Sequence, residues 1–408
     1  MGFDVLLMHG ANPPTLRVVA ARLPSETGVM RAVQTAEIAR RRNELVRRVG
    51  QADDAAGVFA AASARLRRLV PFDAAVWMST DPDTGLPTGP TRVENLDPLT
   101  PEQCSEHWRR EFIVEDVNRF AELTLADRPA AGLRVTVGDP ARSSRFRRFL
   151  RPLGFDDELR AVLRAGDAPW GTLTMWRRDG QPAFDERDTE IISSLSSPIG
   201  EALRVRARPG DETGGLLRYE RPGMLIFDTA GELVSVDDQA RAWLAELGPY
   251  PGVPTDLGLE LPVWLLITMS RAAAVGDGVG DGTARARVRL ARGSWLVCHA
   301  SCLQGADGGF GNTVVVIEPA NAAEIAPIIV EAYDLTEREQ QITRLIARGF
   351  ATSDIATELF LSAHTVRDHV KSIFQKVEVS SRGELVAKLY ADHYEPLHLG
   401  HTRTTEAS

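Results

Sequence analysis

The chain has 408 residues, 43% of them hydrophobic, which is room for two or three domains and a core that holds without staples. A formal charge of −9 excludes a protein that coats nucleic acid nonspecifically. The three cysteines, Cys104, Cys298 and Cys302, exclude a disulfide framework and fit a reducing cytoplasm.

No run of about twenty apolar residues is present to cross a membrane, and residues 1–30 lack the basic start and cleavage site of a signal peptide. Residues 1–32 read as an extension without regular structure, with Met30 as a candidate start. Residues 33–206 read as one α+β domain. Helical spacing over Thr35–Val49 and Ala55–Leu69 leads into a strand at Asp73–Ser79 and a turn at Asp81–Gly85. Cys104–Leu125 reads as one long helix with Trp108, Phe112, Val117 and Phe120 among its apolar residues. Asp156-Asp157-Glu158, beside Arg160, reads as a solvated turn at a strand entrance. Leu159–Leu163 and Trp170–Trp176, joined by a turn at Ala165–Ala168, make a hairpin, and Asp185–Val205 closes the block as a helix.

Helices at both ends of an antiparallel sheet fit a sensory module. The Leu69-Val70-Pro71-Phe72-Asp73-Ala74 entry and the Trp170-Gly171-Thr172-Leu173 strand resemble a GAF-type domain. In such a module Trp77, Trp108, Trp170 and Trp176 are candidate walls of an effector pocket. The competing expectation is that each tryptophan fills a core, since large aromatics are mostly buried packing.

A polar linker, 207–215, precedes a smaller α+β domain over 216–320. Gly223–Phe227, a turn at Asp228–Gly231 and Glu232–Val236 form a hairpin, followed by a helix at Asp237–Leu247. Ala284–Leu290, Trp295–Leu303 and Asn312–Ile317 add three strands, and the five together resemble a reduced PAS domain. Cys298-His299-x-x-Cys302 puts thiols and an imidazole close in sequence, but alternation along a strand sends Cys298 and His299 to opposite faces. No metal site and no cofactor are expected there. A connecting helix, Glu324–Tyr333 within 321–333, leads on.

Residues 334–396 are the most legible, and the chain's three lysines, Lys371, Lys376 and Lys388, all lie within them. Thr336 and Glu339 form a T-x-x-E capping box that opens a first helix. Ile342, Leu345 and Ile346 give it an apolar stripe, and Gly349 can take the left-handed position that ends it. A second helix starts near Thr352 or Ser353 with Ile355, Ala356 and Leu359 inward. Ser362 caps a third, running to about Val377. Val366, Val370, Ile373, Phe374 and Val377 share one face of that helix. Thr365, Arg367, Asp368, Lys371, Ser372, Gln375 and Lys376 are left on the other. Ser381 and Glu384 form a further capping box and open a fourth helix with Leu385, Val386 and Leu389 inward. Four helices in this order make a helix-turn-helix layout, whose second member of the pair enters the major groove.

Leu335-Thr336-x-Arg338-Glu339, Ile355-Ala356, Leu361-Ser362-x-x-Thr365-Val366-x-x-His369 and Lys376 with Ser381-Arg382 closely resemble the LuxR/FixJ-type (GerE) DNA-binding domain. The resemblance implies that Arg367, Asp368 and Lys371 meet base edges, and that Thr352, Ser353, Thr365 and Lys376 contact phosphates. It also implies that the fourth helix, through Leu385 and Leu389, pairs two protomers on an inverted repeat. Asp368 suits a cytosine amino group; the alternative is a surface contact to Lys371 or Ser372. Glu378 departs from the family, which often has glycine there, and a left-handed backbone suits Glu poorly, so that loop is expected to be shaped differently.

No G-x-x-x-x-G-K-[ST] and no G-x-S-x-G occurs, so nucleotide-driven and serine-hydrolase chemistries have no motif. Residues 397–408 read as a tail. The expectation is a multidomain protein: a GAF-like α+β domain, a smaller PAS-like α+β domain and a C-terminal all-α four-helix helix-turn-helix domain. It is expected to be a cytoplasmic, homodimeric transcription regulator rather than an enzyme. Its expected partners are inverted-repeat double-stranded DNA, RNA polymerase and an unknown small-molecule effector. An enzyme with accessory helices and a protein-binding scaffold are the rival readings.

Overall fold

A computed structural model of the chain describes residues 26–391 except 115, 209–220, 248–249, 277, 279–282, 291–293, 305–309 and 321. Two compact units are distinguished, one up to Arg41 and one from Arg42 onward. Helix α1 (Glu26–Gly50) starts earlier than Thr35, because the charged, alanine-containing sequence before it also favours helix. In the first unit Glu37 accepts from Arg40 at 2.9 Å and from Arg41 at 2.7 Å. The extension expected over 1–32 lies outside the described residues up to position 25.

In the second unit, helix α2 (Ala55–Leu66) is capped by Asp54, whose carboxylate accepts from the Gly57 amide. Strands β1 (Ala74–Thr80) and β2 (Pro87–Glu94) follow, then helices α3 (Pro101–Phe112) and α4 (Phe120–Leu125), strand β3 (Ala130–Gly132) and helix α5 (Leu133–Val137). Strands β4 (Phe155–Ala165) and β5 (Ala168–Arg178) form the expected hairpin, and helix α6 (Glu186–Arg206) closes the block. The sheet is antiparallel in the order β2-β1-β5-β4-β3. Helix α6 lies close enough that a Cβ at Gly200 would overlap the Arg164 carbonyl of β4.

Two expectations for this block fail. The single helix over Cys104–Leu125 is two helices, because Asn118 adopts a left-handed backbone with φ 57°, a conformation that asparagine tolerates better than most residues. Strand β2, on which no expectation was set, carries Pro87, Gly89 and Pro90, which are accommodated because it is an edge strand. Asp156-Asp157-Glu158 is not a solvated turn. Asp157 and Glu158 are each 1% exposed, with Glu158 paired to Arg145 at 2.7 Å and Asp157 accepting from the Phe184 amide at 2.8 Å.

The next stretch holds β6 (Gly223–Phe227), β7 (Leu233–Val236), α7 (Asp238–Glu246), a short β8–β9 ladder (Gly252–Pro254 with Glu260–Pro262) and α8 (Val263–Gly276). Strands β10 (Arg285–Arg289), β11 (Trp295–Gln304) and β12 (Phe310–Pro319) complete a second antiparallel sheet in the order β10-β11-β12-β6-β7. The five expected strands are all present. Helix α8 escaped sequence reading because Trp264 through Ser270 are all buried, so no polar face marks a helical period. Cys298 is buried and its neighbour His299 partly exposed, as strand alternation requires.

The two sheet-bearing blocks share a core. Met78, Leu86, Cys104 and Trp108 pack into the same apolar cluster as Leu225, Trp243, Leu265 and Val315. A second cluster runs from α2 and α6 through helix α9 (Ala322–Ala332) into the C-terminal helices. Between the blocks lies an ion pair with both side chains 0% exposed: Arg287 on β10 donates to Asp81, just after β1, at 2.6 Å.

Candidate nucleic-acid interface

The C-terminal helices are α10 (Glu337–Ala347), α11 (Thr352–Glu358), α12 (Ala363–Val377) and α13 (Arg382–Val386), the last continued by a wider turn over Ala387–Ala391. Thr336 and Glu339 form the expected capping box, Gly349 has φ +84°, and Ser362 accepts from the Thr365 amide at 3.0 Å. Ser381 caps α13, but Glu384 reaches back to the Ser380 amide at 2.7 Å rather than to Ser381.

Helix α12 divides as its apolar spacing requires. Val366, Ile373 and Val377 are buried, while Val370 and Phe374 are half-buried against the same cluster. Arg367, Asp368, Lys371 and Gln375 are exposed on the outer side. Arg367 and Lys371 have no hydrogen-bond or ion-pair partner among the described residues, which leaves both cations available to a ligand. Asp368 contacts neither Lys371 nor Ser372; its carboxylate lies 2.8 Å from His364 Nδ1, one turn back.

The four residues expected at phosphates are not alike. Ser353 is exposed at the start of α11, and Thr365 is half-buried at the start of α12. Thr352 accepts from Arg382 at 2.8 Å, an anchor that holds the start of α11 against α13. Lys376 is turned inward, donating to Glu339 at 2.7 Å and to the Asp334 carbonyl at 2.8 Å. Ser372 also donates to Glu339, at 2.6 Å. The capping-box motif hid this second role of Glu339, because a cap needs only the local chain whereas the α12 donors come from across the bundle. Burial would push the Glu339 carboxyl up, but Lys376, Ser372 and Thr336 outweigh it and hold it at about 2.

Leu385 and Leu389 are buried at 1% and 0% exposure inside the chain's own core. The turn carrying Leu389 packs on α9. Gly383 and Ala387 are exposed on the same element, while Val386 is half-buried against the core cluster, beside an apolar groove of about 490 Å³ that Ile346 and Phe350 help to line.

Glu378 has φ 59° and ψ 51°. The loop therefore keeps the left-handed form that glycine would favour, contrary to the expected change of shape. Glu378→Gly should stabilise the chain by about 1 kcal/mol, since glycine pays no Cβ penalty there. The measurement is the denaturant midpoint, and an unchanged or lower midpoint contradicts it.

The tryptophans proposed as pocket walls do not meet. Trp77 and Trp170 lie in the cluster under α2 and α6, Trp108 in the core shared with the second sheet, and Trp176 in a third cluster with Phe149 and Phe155. All four are at most 6% exposed, each packed within its own cluster.

Among the described residues no helix is long and apolar enough to cross a membrane. Residues 334–389 match the family model described as bacterial regulatory proteins, luxR family. The chain is similar to the spore germination protein GerE of Bacillus subtilis, 40% identical over 55 residues, which are 14% of this chain and 74% of that protein. It is 40% identical over 58 residues to the transcriptional regulatory protein DesR of the same organism, covering 14% of this chain and 29% of that protein. A solved structure of the Vibrio cholerae VqmA dimer matches at 15% identity over 43% of this chain and 82% of that one, with a TM-score of 0.19. Because the shared segment makes up most of GerE itself, the chain belongs to the luxR family of bacterial regulatory proteins.

Proposed function

We propose that the chain is a sequence-specific, dimeric, cytoplasmic regulator of transcription, placing α12 in the major groove of an inverted-repeat operator and acting on RNA polymerase. The observation that carries this reading is the pair of exposed cations, Arg367 and Lys371, one helical turn apart with no partner among the described residues. Arg and Lys suit guanine edges, and Asp368 suits a cytosine amino group once it leaves His364. Ser353 and Thr365 flank this face as phosphate contacts, with Thr352 and Lys376 joining through donors their bonds to Arg382, Glu339 and Asp334 leave over.

Dimer formation through the fourth helix has two routes. Exposed Gly383 and Ala387, beside half-buried Val386, can meet a second copy directly, or α9 can shift and release Leu389. The second route links the DNA-binding helices to the blocks upstream, because α9 is also held by Arg287, which donates to the Glu324 carbonyl at 2.8 Å. The domain reading stays as 33–206 GAF-like, 216–320 PAS-like and 334–396 DNA-binding. Two five-stranded antiparallel sheets, the second with its helices between strands two and three, support it. A small effector bound upstream would then shift the population of α9 positions.

Operator sites selected from random duplex DNA provide the test. Arg367→Ala and Lys371→Ala should each weaken binding to the selected site by about 1–3 kcal/mol, read by fluorescence anisotropy, with unchanged thermal midpoints. A selection that enriches no sequence would remove the reading altogether.

A further inference from the structure

We propose that the outer face of the second sheet, across β6, β7 and β12, is where two copies of this chain pair. The strands alternate there. Leu225, Phe227, Val315 and Ile317 are buried in the cluster that also holds Leu265 and Leu266 of α8. Their neighbours Met224, Ile226, Val314 and Val316 therefore stand on the opposite face. Register brings these four together, Ile226 lying across from Val314 and Met224 across from Val316. Ile226, Val314 and Val316 belong to none of the three apolar clusters formed by the described residues. Met224 is 45% exposed, as is Val234 on β7, and Leu303 on β11 is 48% exposed. Apolar side chains gathered on adjacent strands in this way mark a surface kept for a partner.

Three observations make that partner a second copy. The polar residues on the flanks of the patch, Ser235, Ser301 and Asn312, are exposed and uncharged. A two-fold contact sets a patch against itself, so a charged face would repel its own copy and this one does not. The same lack of charge gives nucleic acid or a charged protein nothing to complement.

The residues that the family resemblance gives to pairing, Leu385 and Leu389, are enclosed in the chain's own core. A dimer formed in this arrangement needs a different surface. The sheet face is also continuous with α9. Trp295, on the same side of β11, shares a cluster with Ile325 and Ile328 of α9. His299, which lies across from Val316, is 3.5 Å from Glu324 of that helix. A two-fold axis through the patch thus relates two α9 helices, and with them the DNA-binding helices on which α9 packs.

This pairing deepens the dimeric reading given above by naming its surface, and it rests on that reading only for the presence of two copies. Sedimentation equilibrium of the full chain without DNA tests it. Wild type should be a dimer at micromolar concentration. Ile226→Lys/Val316→Lys should raise the dimer dissociation constant about a hundredfold or more, with an unchanged circular-dichroism spectrum. Met224→Lys/Leu303→Lys, at exposed positions where folding tolerates the change, should raise it about tenfold. Ala387→Glu, on the fourth helix, should leave it unaltered. A monomeric wild type, or a dimer that persists in both lysine pairs, overturns the proposal. A dimer lost in Ala387→Glu alone also overturns it, by assigning the pairing to the fourth helix. Operator selection reports separately, since an enriched site bound by a monomer would sink the pairing surface and leave recognition by α12 standing.

Discussion

Replacing Arg287 with methionine is expected to cost about 3–5 kcal/mol, because it leaves the Asp81 carboxylate buried without its counter-ion. The guanidinium lies 2.6 and 3.2 Å from the two Asp81 oxygens, with both side chains out of contact with solvent. It also donates to Asp83 at 2.9 Å, but Asp83 is 59% exposed, so that bond contributes about 1 kcal/mol at most. Removing the arginine therefore strands one charge in an apolar wall. Arg287→Met/Asp81→Leu should recover most of the loss, since two apolar groups of similar volume can replace a buried pair at little cost. A double-mutant cycle in denaturant measures the coupling. A double variant whose loss equals the sum of the two single losses would show that the pair does not act as a unit. The arginine also holds α9 at the Glu324 carbonyl, so Arg287→Met should loosen the DNA-binding helices from the sheets. That appears as a separate, earlier transition rather than one cooperative loss.

Such a pair could not be read from the sequence, since its partners stand 206 positions apart and each is an ordinary charged residue in a turn or strand. What was legible obeyed local rules. The α12 face followed from Val366, Ile373 and Val377 at helical spacing, and the caps at Thr336 and Ser362 followed from hydroxyls ahead of apolar runs. The hairpin of β4 and β5 announced itself by alternation around a turn. The reading failed where tertiary packing overrode local signals. Trp264 through Ser270 carry no polar stripe because they are enclosed on all sides. Asp157 and Glu158 looked solvated because Phe184 and Arg145, their partners, arrive from elsewhere in the chain. The candidate interface was legible for the same reason that its core was: exposed cations on α12 are simply what the buried face leaves over. The bond from Lys376 to Glu339 was not legible, because one-dimensional spacing cannot tell a cation facing solvent from one facing a buried carboxylate.

That carboxylate sets the second large effect. Glu339→Gln should destabilise the chain by about 3 kcal/mol at neutral pH, the free energy that goes with lowering a carboxyl from 4.5 to about 2. Glutamine keeps the shape and can still accept from the Thr336 amide, so the helix cap survives while the charge that serves Lys376 and Ser372 is lost. The sign of the pH dependence follows from the depressed value. The folded form binds its proton later than the unfolded chain, so the stabilisation is fully present above about 4.5 and fades as pH falls toward 2. The gap between wild type and Glu339→Gln in denaturant midpoint should therefore be widest near neutrality and narrow below 4.5; a gap that stays constant with pH contradicts this origin. The same variant bears on DNA, because it frees the Lys376 ammonium. If Lys376 meets a phosphate, as the family resemblance implies, Glu339→Gln should steepen the salt dependence of operator binding by about one ion, and Lys376→Ala should remove that gain. An identical slope in all three proteins would mean that Lys376 serves the bundle alone, leaving recognition to Arg367 and Lys371.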